Sequence, residues 1–221
     1  MAIGYGPVLP TDGLVLLLDA ANKRSYPGTG TTVVDLSGTG NNSTLVNSPT
    51  YSTANGGMWS LNGTTQRIDV TNNDNLRITV GTIGAWFRAN SGNSGFNGII
   101  TKQSAWGLFV QDNVLITYDW STSSSRSTGI TVGNDQWNLA VLSFTETTGT
   151  PSNNATVYLN GASVLTATVK TNNQSTGVQI GDGNASQNLG GDVSMGFIYN
   201  RVLPASEVFQ IFNAHRGRYG I

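Results

Sequence analysis

The feature that most constrains the fold of this chain is the alternation of short strand-forming runs with clusters of turn-forming residues. Asn-Gly dipeptides occupy positions 55–56, 62–63 and 160–161. This dipeptide favours tight hairpin turns because both residues readily adopt positive φ. Runs such as Arg67–Val70 and Val114–Asp119 lie between turn clusters at a spacing typical of β-sandwiches. The pattern predicts an all-β fold of many short antiparallel strands.

The predicted strands differ in how many of their faces are apolar. In Trp137–Phe144, residues on both faces are apolar, which is typical of a strand buried on both sides by another layer. The predicted strands are Leu14–Leu18, Trp59–Leu61, Arg67–Val70, Thr82–Arg88, Gly98–Lys102, Trp106–Gln111, Val114–Asp119, Trp137–Phe144, Ala155–Leu159, Ala162–Val169, Gly177–Ile180 and Gly191–Tyr199.

One helix is predicted, after Leu203-Pro204, with Ser206 as its N-cap and Gly217 as its terminator. Its apolar side chains recur at helical spacing, and we expect this face to close an open end of the sandwich. The residues at that spacing are Val208, Ile211, Phe212 and His215.

Composition excludes several classes of function. Charged residues make up 10% of the chain and the net charge is −1, so no basic surface for nucleic acid or an anionic membrane is expected. The chain has no cysteine, which removes disulfides, thiolate metal sites and thiol nucleophiles. The N-terminus lacks the pattern of a signal peptide, and we expect assembly in the cytoplasm.

The chain is predicted to contain one domain, at residues 14–221, preceded by an extended arm at residues 1–13. Its 221 residues fit one large sandwich. Gly4, Gly6 and Pro7 prevent a helix in the arm. We expect either the domain itself or a neighbouring subunit to hold this arm.

The segment 35–45, DLSGTGNNSTL, is rich in residues that bind metals, cradle phosphates or form turns. A calcium loop of the EF-hand kind would alternate oxygen ligands from Asp35 and end on an acid at position 46, which is Val46. A phosphate loop would need a Gly-Lys-Ser/Thr sequence that is absent here. We therefore predict a turn in which Asp and Asn side chains bind nearby backbone amides.

A series of motifs along residues 14–213 resembles the laminin-G-like, concanavalin A-like lectin domains. This resemblance implies a two-sheet antiparallel jelly-roll sandwich with one short C-terminal helix. Members often carry an acidic pair where this chain has Ser194 and Met195, which removes any charge-based role there. The motifs, in order, are LSGTGNNSTLVNSPTY, WSLNGTTQRIDV, TIGAWFRAN, GIITK, WGLFV, QWNLAVLSF, ATVYLNGASV, VQIGDGN and LGGDVSMGFIYNRVLPASEVFQIFN.

The early segment LLLDAANKRSYPGTGTTVVDLSG further resembles the version of this domain found in virion proteins of tailed bacteriophages. This implies a location in the virion, after assembly in the host cytoplasm. The leading hypothesis is a capsid decoration, or cement, protein that binds the major capsid protein of the outer shell. The arm would supply its apolar anchors, Ile3, Tyr5, Val8 and Leu9. A second copy of the chain is a further candidate partner.

The alternative hypothesis is a module of a tail fibre or spike that binds cell-surface glycans. Sugar binding needs an aromatic platform with amide or hydroxyl partners, and the candidate platforms are Trp106, Tyr118 and Trp120. The family usually buries an aromatic at the positions of Trp59, Trp86 and Trp137, which are assigned to the core.

No cofactor and no catalytic residue are predicted. The resemblance suggests calcium as the one ion to consider, with Asp112 and Asp182 in rim loops as ligands or as turn residues. Glycan hydrolysis usually needs two nearby carboxyl groups, but the only glutamates are Glu146, in a predicted loop, and Glu207, at the start of the predicted helix, and the clustered acidic strand of related glucanases is absent. His215 is predicted to be a packing or surface residue. We expect a non-enzymatic protein.

Overall fold

The computed structural model describes residues 9–145, 152–184 and 186–221. These residues form sixteen strands and one α-helix, α1 (Ala205–His215). The strands are β1 (Leu14–Asp19), β2 (Thr32–Val33), β3 (Ser43–Val46), β4 (Thr50–Ser52), β5 (Met58–Asn62), β6 (Arg67–Val70), β7 (Gly81–Ala89), β8 (Phe96–Lys102), β9 (Trp106–Gln111), β10 (Val114–Asp119), β11 (Ser124–Thr131), β12 (Trp137–Phe144), β13 (Ala155–Leu159), β14 (Ala162–Ala167), β15 (Val178–Ile180) and β16 (Gly190–Tyr199).

Two antiparallel sheets of eight strands form the predicted jelly-roll sandwich. Sheet A has the order β14-β13-β12-β7-β16-β5-β4, and β1 pairs with the second half of β16. Sheet B has the order β11-β10-β9-β8-β15-β6-β3-β2. Every strand pair within the two sheets is antiparallel, so the fold class expected from the alternation of strands and turns is confirmed.

The main hydrophobic core lies between the two sheets. Alternate residues of each strand point into it, as the two-residue period of a strand requires. On sheet A these include Ile83, Ala85 and Phe87 of β7, and on sheet B they include Trp106 and Leu108 of β9. All five are fully buried. The core contacts Trp59 as well, in agreement with its assignment.

A second hydrophobic cluster covers the outer face of sheet A. Trp137 and Leu139 of β12 point into it, whereas Ala140 and Leu142 of the same strand point into the main core. The prediction that Trp137–Phe144 is buried on both sides is therefore confirmed. The other two aromatic residues assigned to buried positions, Trp86 and Trp137, lie in this second cluster.

Helix α1 lies over this outer face, not at an open end of the sandwich as predicted. Its Val208 and Ile211 are buried in the second cluster, and Phe212 stacks on Trp86 with ring centroids 5.8 Å apart. The N-cap is Pro204, so the assignment of Ser206 as the cap is wrong. Within the described ranges, no helix is long and apolar enough to span a membrane.

The described part of the N-terminal arm is held by its own domain. The Tyr199 hydroxyl donates to the Pro10 carbonyl at 2.8 Å, and Arg201 Nε donates to the Asp12 carbonyl at 2.9 Å. Leu9 is half-buried and packs against the second cluster of its own domain. The other three predicted anchors, Ile3, Tyr5 and Val8, lie outside the described residues.

The segment 35–45 forms the predicted turn around Asp35. The Asp35 carboxylate accepts hydrogen bonds from the amides of Leu17, Ser37 and Asn41 at 2.9 to 3.0 Å. These bonds tie the turn to β1, because Leu17 is the partner from that strand. The end of the segment departs from the prediction, since Ser43–Val46 is strand β3.

Strands β2, β3, β4 and β11 were not predicted. In β11 the sequence reads SSRSTGIT, which has the composition of a loop. Its place at the edge of sheet B explains this composition, because an edge strand makes its ladder hydrogen bonds with one neighbour, here β10, while its side chains meet solvent. The polar segment after Trp120 is therefore largely a strand.

Candidate functional site

The outer face of sheet B carries a cluster of four aromatic side chains. In β9, Leu108 and Val110 point into the main core, so Phe109 points to the opposite face. A cavity of about 220 Å³ opens there. This aromatic cavity is lined by Phe96, Gln103, Phe109, Tyr118, Trp120 and Gln187.

The four rings hold one another in edge-on contacts. Tyr118 lies between Phe96 and Trp120, with centroid distances of 5.6 Å and 5.2 Å and interplanar angles of 87° and 73°. Phe109 forms the buried floor, 6.0 Å from Phe96 and 6.1 Å from Trp120. Edge-to-face contacts of this kind are favourable for aromatic rings. The cluster is therefore fixed in shape, and its Phe96, Tyr118 and Trp120 rings are half-buried.

The loop that follows β15 forms one wall of the aromatic cavity. It lies directly on β8, where the Gly98 amide donates to the Gln187 carbonyl at 2.8 Å and Thr101 Oγ1 donates to the Asp182 carbonyl at 2.8 Å. A Cβ atom on Gly98 would lie 2.3 Å from that same carbonyl. Only glycine at position 98 allows this approach.

A second cavity of about 520 Å³ adjoins the first at Phe96 and Gln187. We call it the amide cavity because six of its lining residues carry carboxamides. Asn97 and Asn188 are buried, and among the described residues Asn97 Oδ1 and Asn188 Nδ2 find no hydrogen-bond partner. The six are Asn62, Asn90, Asn93, Asn97, Gln187 and Asn188.

A third cavity, also of about 520 Å³, adjoins the aromatic cavity at Gln103. We call it the far cavity. Its polar lining comes from the ends of β6 and β15 and from the loops beside them. The residues with amide, carboxylate or hydroxyl groups are Asp69, Thr71, Asn72, Gln103, Ser175, Thr176, Gln179 and Asn184.

Lys102 lies beside the far cavity as a fully buried amine. Its Nζ donates to Asn72 Oδ1 at 2.8 Å and to the Thr176 carbonyl. Burial and, to a smaller extent, the nearby charge of Arg77 together lower the pKa of Lys102 to about 8. Both acceptors belong to residues of the cavity wall, so this amine fixes the wall.

A family model described as the concanavalin A-like lectin/glucanases superfamily matches residues 62–209. The chain belongs to this superfamily. A sequence search of curated proteins finds no match.

Solved structures share the concanavalin A-like fold of this chain at low sequence identity. The binding domain of Paraclostridial Mosquitocidal Protein 1 is 17% identical with a TM-score of 0.68, over 92% of this chain and 52% of that one. Trypanosoma rangeli sialidase in complex with sialic acid is 15% identical with a TM-score of 0.71, over 96% of this chain and 34% of that one.

A third structure is that of botulinum neurotoxin type C, described as entering cells through interaction with two ganglioside molecules. It is 18% identical with a TM-score of 0.69, over 92% of this chain and 51% of that one. The chain thus spans between about a third and about half of the length of these structures.

The concanavalin A-like sandwich brings together two of the three predicted sugar platforms. Tyr118 and Trp120 both line the aromatic cavity. Trp106 does not, because its side chain is fully buried in the main core and stacks on Phe144 at 6.4 Å. Trp106 offers no ring face to a ligand, so the prediction that it forms a sugar platform is wrong. Sequence reasoning missed Phe96 and Phe109. The signal for Phe109 is strand alternation: it lies three positions after Trp106 in β9, so its side chain points to the face opposite the core once Trp106 is known to face the core.

Both predicted calcium ligands of this sandwich hold turns. Asp112, at a positive φ of 48° between β9 and β10, accepts the Gly95 amide at 2.8 Å. Asp182 Oδ1 accepts the amides of Gly183 and Gln187 at 2.7 and 3.2 Å. Among the residues that the structure describes, no three His, Cys, Asp or Glu side chains converge as a metal site would require.

Of the residues considered for catalysis, Glu207 and His215 line neither the aromatic nor the amide cavity. Glu207 pairs with Arg201 at 2.7 Å on the side of the sandwich that carries α1, and Glu146 lies outside the described residues. His215 Nδ1 lies 2.9 Å from the Ile211 carbonyl within α1. Burial lowers the pKa of His215. Asp69 borders the far cavity, where Arg67 Nε lies 2.8 Å from its carboxylate.

Proposed function

We propose that this chain is a carbohydrate-binding module and that its sugar site is formed by the aromatic and amide cavities. The observation that carries the proposal is their junction at Phe96 and Gln187, where an aromatic cluster meets a wall of carboxamides. A sugar ring has an apolar face that packs on an aromatic side chain. Its hydroxyls both donate and accept hydrogen bonds, as carboxamides do.

The buried polar atoms of the amide cavity support this role. Asn97 Oδ1 and Asn188 Nδ2 are an acceptor and a donor that are buried without partners. Such atoms are rare in folded proteins because each costs about 1–3 kcal/mol. A small reorientation of either amide toward a sugar hydroxyl would supply the missing bond. The ganglioside and sialic acid ligands named for two proteins of similar fold add support at the level of the fold.

We further propose that the module binds sugars without cleaving them. Among the described residues that line the aromatic and amide cavities, none is an aspartate or a glutamate. Glycoside hydrolysis usually requires two carboxyl groups about 5–9 Å apart on either side of the scissile bond. Incubation with a panel of polysaccharides should release no reducing sugar, and release above a heat-denatured control would contradict the proposal.

The test of sugar binding is the variant Trp120→Ala on a glycan array, followed by calorimetry on the best ligand. Removing a half-buried aromatic from a binding site typically costs about 1–4 kcal/mol, so affinity should fall at least about fivefold. Phe209→Ala is the matched control, because Phe209 is a 52% exposed aromatic on α1, over the opposite sheet. An array on which the unmodified protein binds no glycan would contradict the proposal.

The second candidate function is capsid decoration. It is favoured by the phage-like segment LLLDAANKRSYPGTGTTVVDLSG and by the predicted anchors of the arm. Deleting residues 1–8 is the sharpest test, because it removes Ile3, Tyr5 and Val8 and keeps the contacts of Pro10 and Asp12 with the domain. The truncated protein should dissociate from phage particles under conditions in which the full-length protein stays bound. Full occupancy by the truncated protein would contradict docking through the arm.

A further inference from the structure

The three cavities adjoin one another through shared lining residues, and we call them together the groove. The amide and aromatic cavities share Phe96 and Gln187, and the aromatic and far cavities share Gln103. From β10, which carries Tyr118, to β6, which carries Asp69, the sheet has the order β10-β9-β8-β15-β6. Four spacings of about 4.8 Å separate these strands, or about 19 Å in total. This span exceeds one sugar ring.

The groove lacks a cation that could pair with an acidic sugar. Among the described residues lining the aromatic and amide cavities, none is charged, and the far cavity has Asp69 as its charged lining residue. An anion placed in a partly buried site without a cationic partner is strongly disfavoured.

Three cations lie near the far cavity and each is already paired, Arg77 with Asp74 at 3.3 Å. Lys102 donates to Asn72 and to the Thr176 carbonyl. Arg67 lies 2.8 Å from Asp69 and 3.8 Å from Asp182. The net charge of this end of the groove is therefore not positive, and a carboxylate or sulfate of a ligand would meet the Asp69 carboxylate.

Gln103 lies where a ligand would cross from the aromatic cavity to the far cavity. The turn that carries it is fixed, because the Ala105 amide donates to the Lys102 carbonyl at 2.9 Å and Thr176 Oγ1 donates to the Gln103 carbonyl at 3.1 Å. With its backbone held in this way, the Gln103 side chain borders both cavities. It is placed to bind a sugar in the middle of a chain.

Resting on the proposed sugar site, we propose that the ligand is an uncharged oligosaccharide that spans the aromatic and far cavities past Gln103. Aromatic faces and neutral amides recognise the rings and hydroxyls of such a chain without any charged partner. The groove thereby selects against sialylated and uronate-containing glycans, which carry a carboxylate.

The experiment is calorimetric titration of the full chain with neutral oligosaccharides of increasing length, with sialyllactose and with a uronate oligosaccharide. Affinity for the neutral series should rise at least about tenfold from the monosaccharide to the longest member. It should change little as salt rises from about 0.05 to about 0.5 M, since screening weakens charge pairs but not neutral contacts. Acidic glycans should bind more weakly than neutral ones of equal length.

Two variants separate this inference from the proposed sugar site. Gln179→Ala should abolish the gain with length and leave binding of the short ligand unchanged, because Gln179 lines the far cavity and neither of the other two, whereas Trp120→Ala should weaken both. Gln136→Ala is the matched control, because Gln136 is exposed and lies outside all three cavities.

The titrations test the preference for neutral oligosaccharides separately from the sugar site itself. Tighter, salt-sensitive binding of an acidic glycan, or equal affinity for short and long neutral ligands, overturns the inference while the sugar site stands. No binding of any glycan overturns the proposed function and this inference with it.

Discussion

Lys102 shows how a single residue sets the pH dependence of the fold. The amine is fully buried and its pKa in the folded chain is about 8, below the value of 10.5 for an exposed lysine. Between these two values the unfolded chain binds more protons than the folded chain. The free energy of unfolding therefore rises as pH increases through this window.

The prediction is that Lys102→Met removes this rise. Denaturant unfolding at a series of pH values from about 7 to about 10 should show the difference between the parent and the variant growing with pH above about 8. Lys23→Met, at an exposed position, is the control and should leave the curve parallel to that of the parent. A constant difference between parent and Lys102→Met at all pH values would contradict the assignment.

At the scale of residues, type alone predicted part of the candidate site. Tyr118 and Trp120 were identified as candidate aromatic platforms for a sugar, and both line the aromatic cavity. Trp106 was indistinguishable from them, because WGLFV has apolar side chains on both faces of β9 and the sequence does not mark which face meets the core. The Gln103 and Gln187 side chains reach the cavity from turns, and no local pattern indicates that.

At the scale of elements, the contact between β8 and the loop after β15 determines the shape of the groove. Gly98→Ala would place a methyl group 2.3 Å from the Asp182 carbonyl, so the loop must move away from the strand. We expect a loss of about 1–3 kcal/mol in the free energy of unfolding. Sugar affinity should fall as well, since the loop forms one wall of the aromatic cavity.

Thermal unfolding and calorimetry measure these two effects of Gly98→Ala. Gly217→Ala is the control, because a Cβ atom there would meet nothing within 4 Å. Unchanged stability and unchanged affinity in Gly98→Ala would show that the loop does not depend on this close approach.

Most strands were predictable because burial imposes its period on their sequences. Strands β6, β9 and β12 have the bounds that the sequence predicts. Strands β2 to β4 were missed because two to four residues are too few to show an apolar period, and the edge strand β11 because its side chains are mostly polar; backbone hydrogen bonds to neighbours define all four. Sequence patterns therefore indicate which residues are buried more reliably than they indicate which strands pair.

At the scale of the whole molecule, the main core and the second cluster are two separate apolar layers that join different parts of the fold. The main core joins the sheets, and the second cluster joins sheet A to α1. The order of motifs was sufficient to predict the sandwich. It did not place the helix, because the apolar faces of β7, β12 and β16 that receive α1 come from segments far apart in the sequence.

The separation of these layers predicts that stability and sugar binding can be changed independently. Ile211→Ala removes a fully buried side chain of α1 from the second cluster, and such truncations cost about 2–5 kcal/mol. Sugar affinity should stay within about twofold of the parent, since distant sites act additively. Urea unfolding and calorimetry measure the two quantities. A large loss of affinity in a variant that remains folded would contradict this independence.

The position of α1 and the arm also determines how the molecule can be attached to a surface. Leu9 and Tyr219 both contact the second cluster, on the outer face of sheet A, whereas the groove opens on the outer face of sheet B. A biotin or a carrier domain joined near either of these positions would sit on the back of the sandwich. Immobilised in that way, every copy would present its groove outward, and a dense layer of copies would bind polyvalent glycans with high avidity.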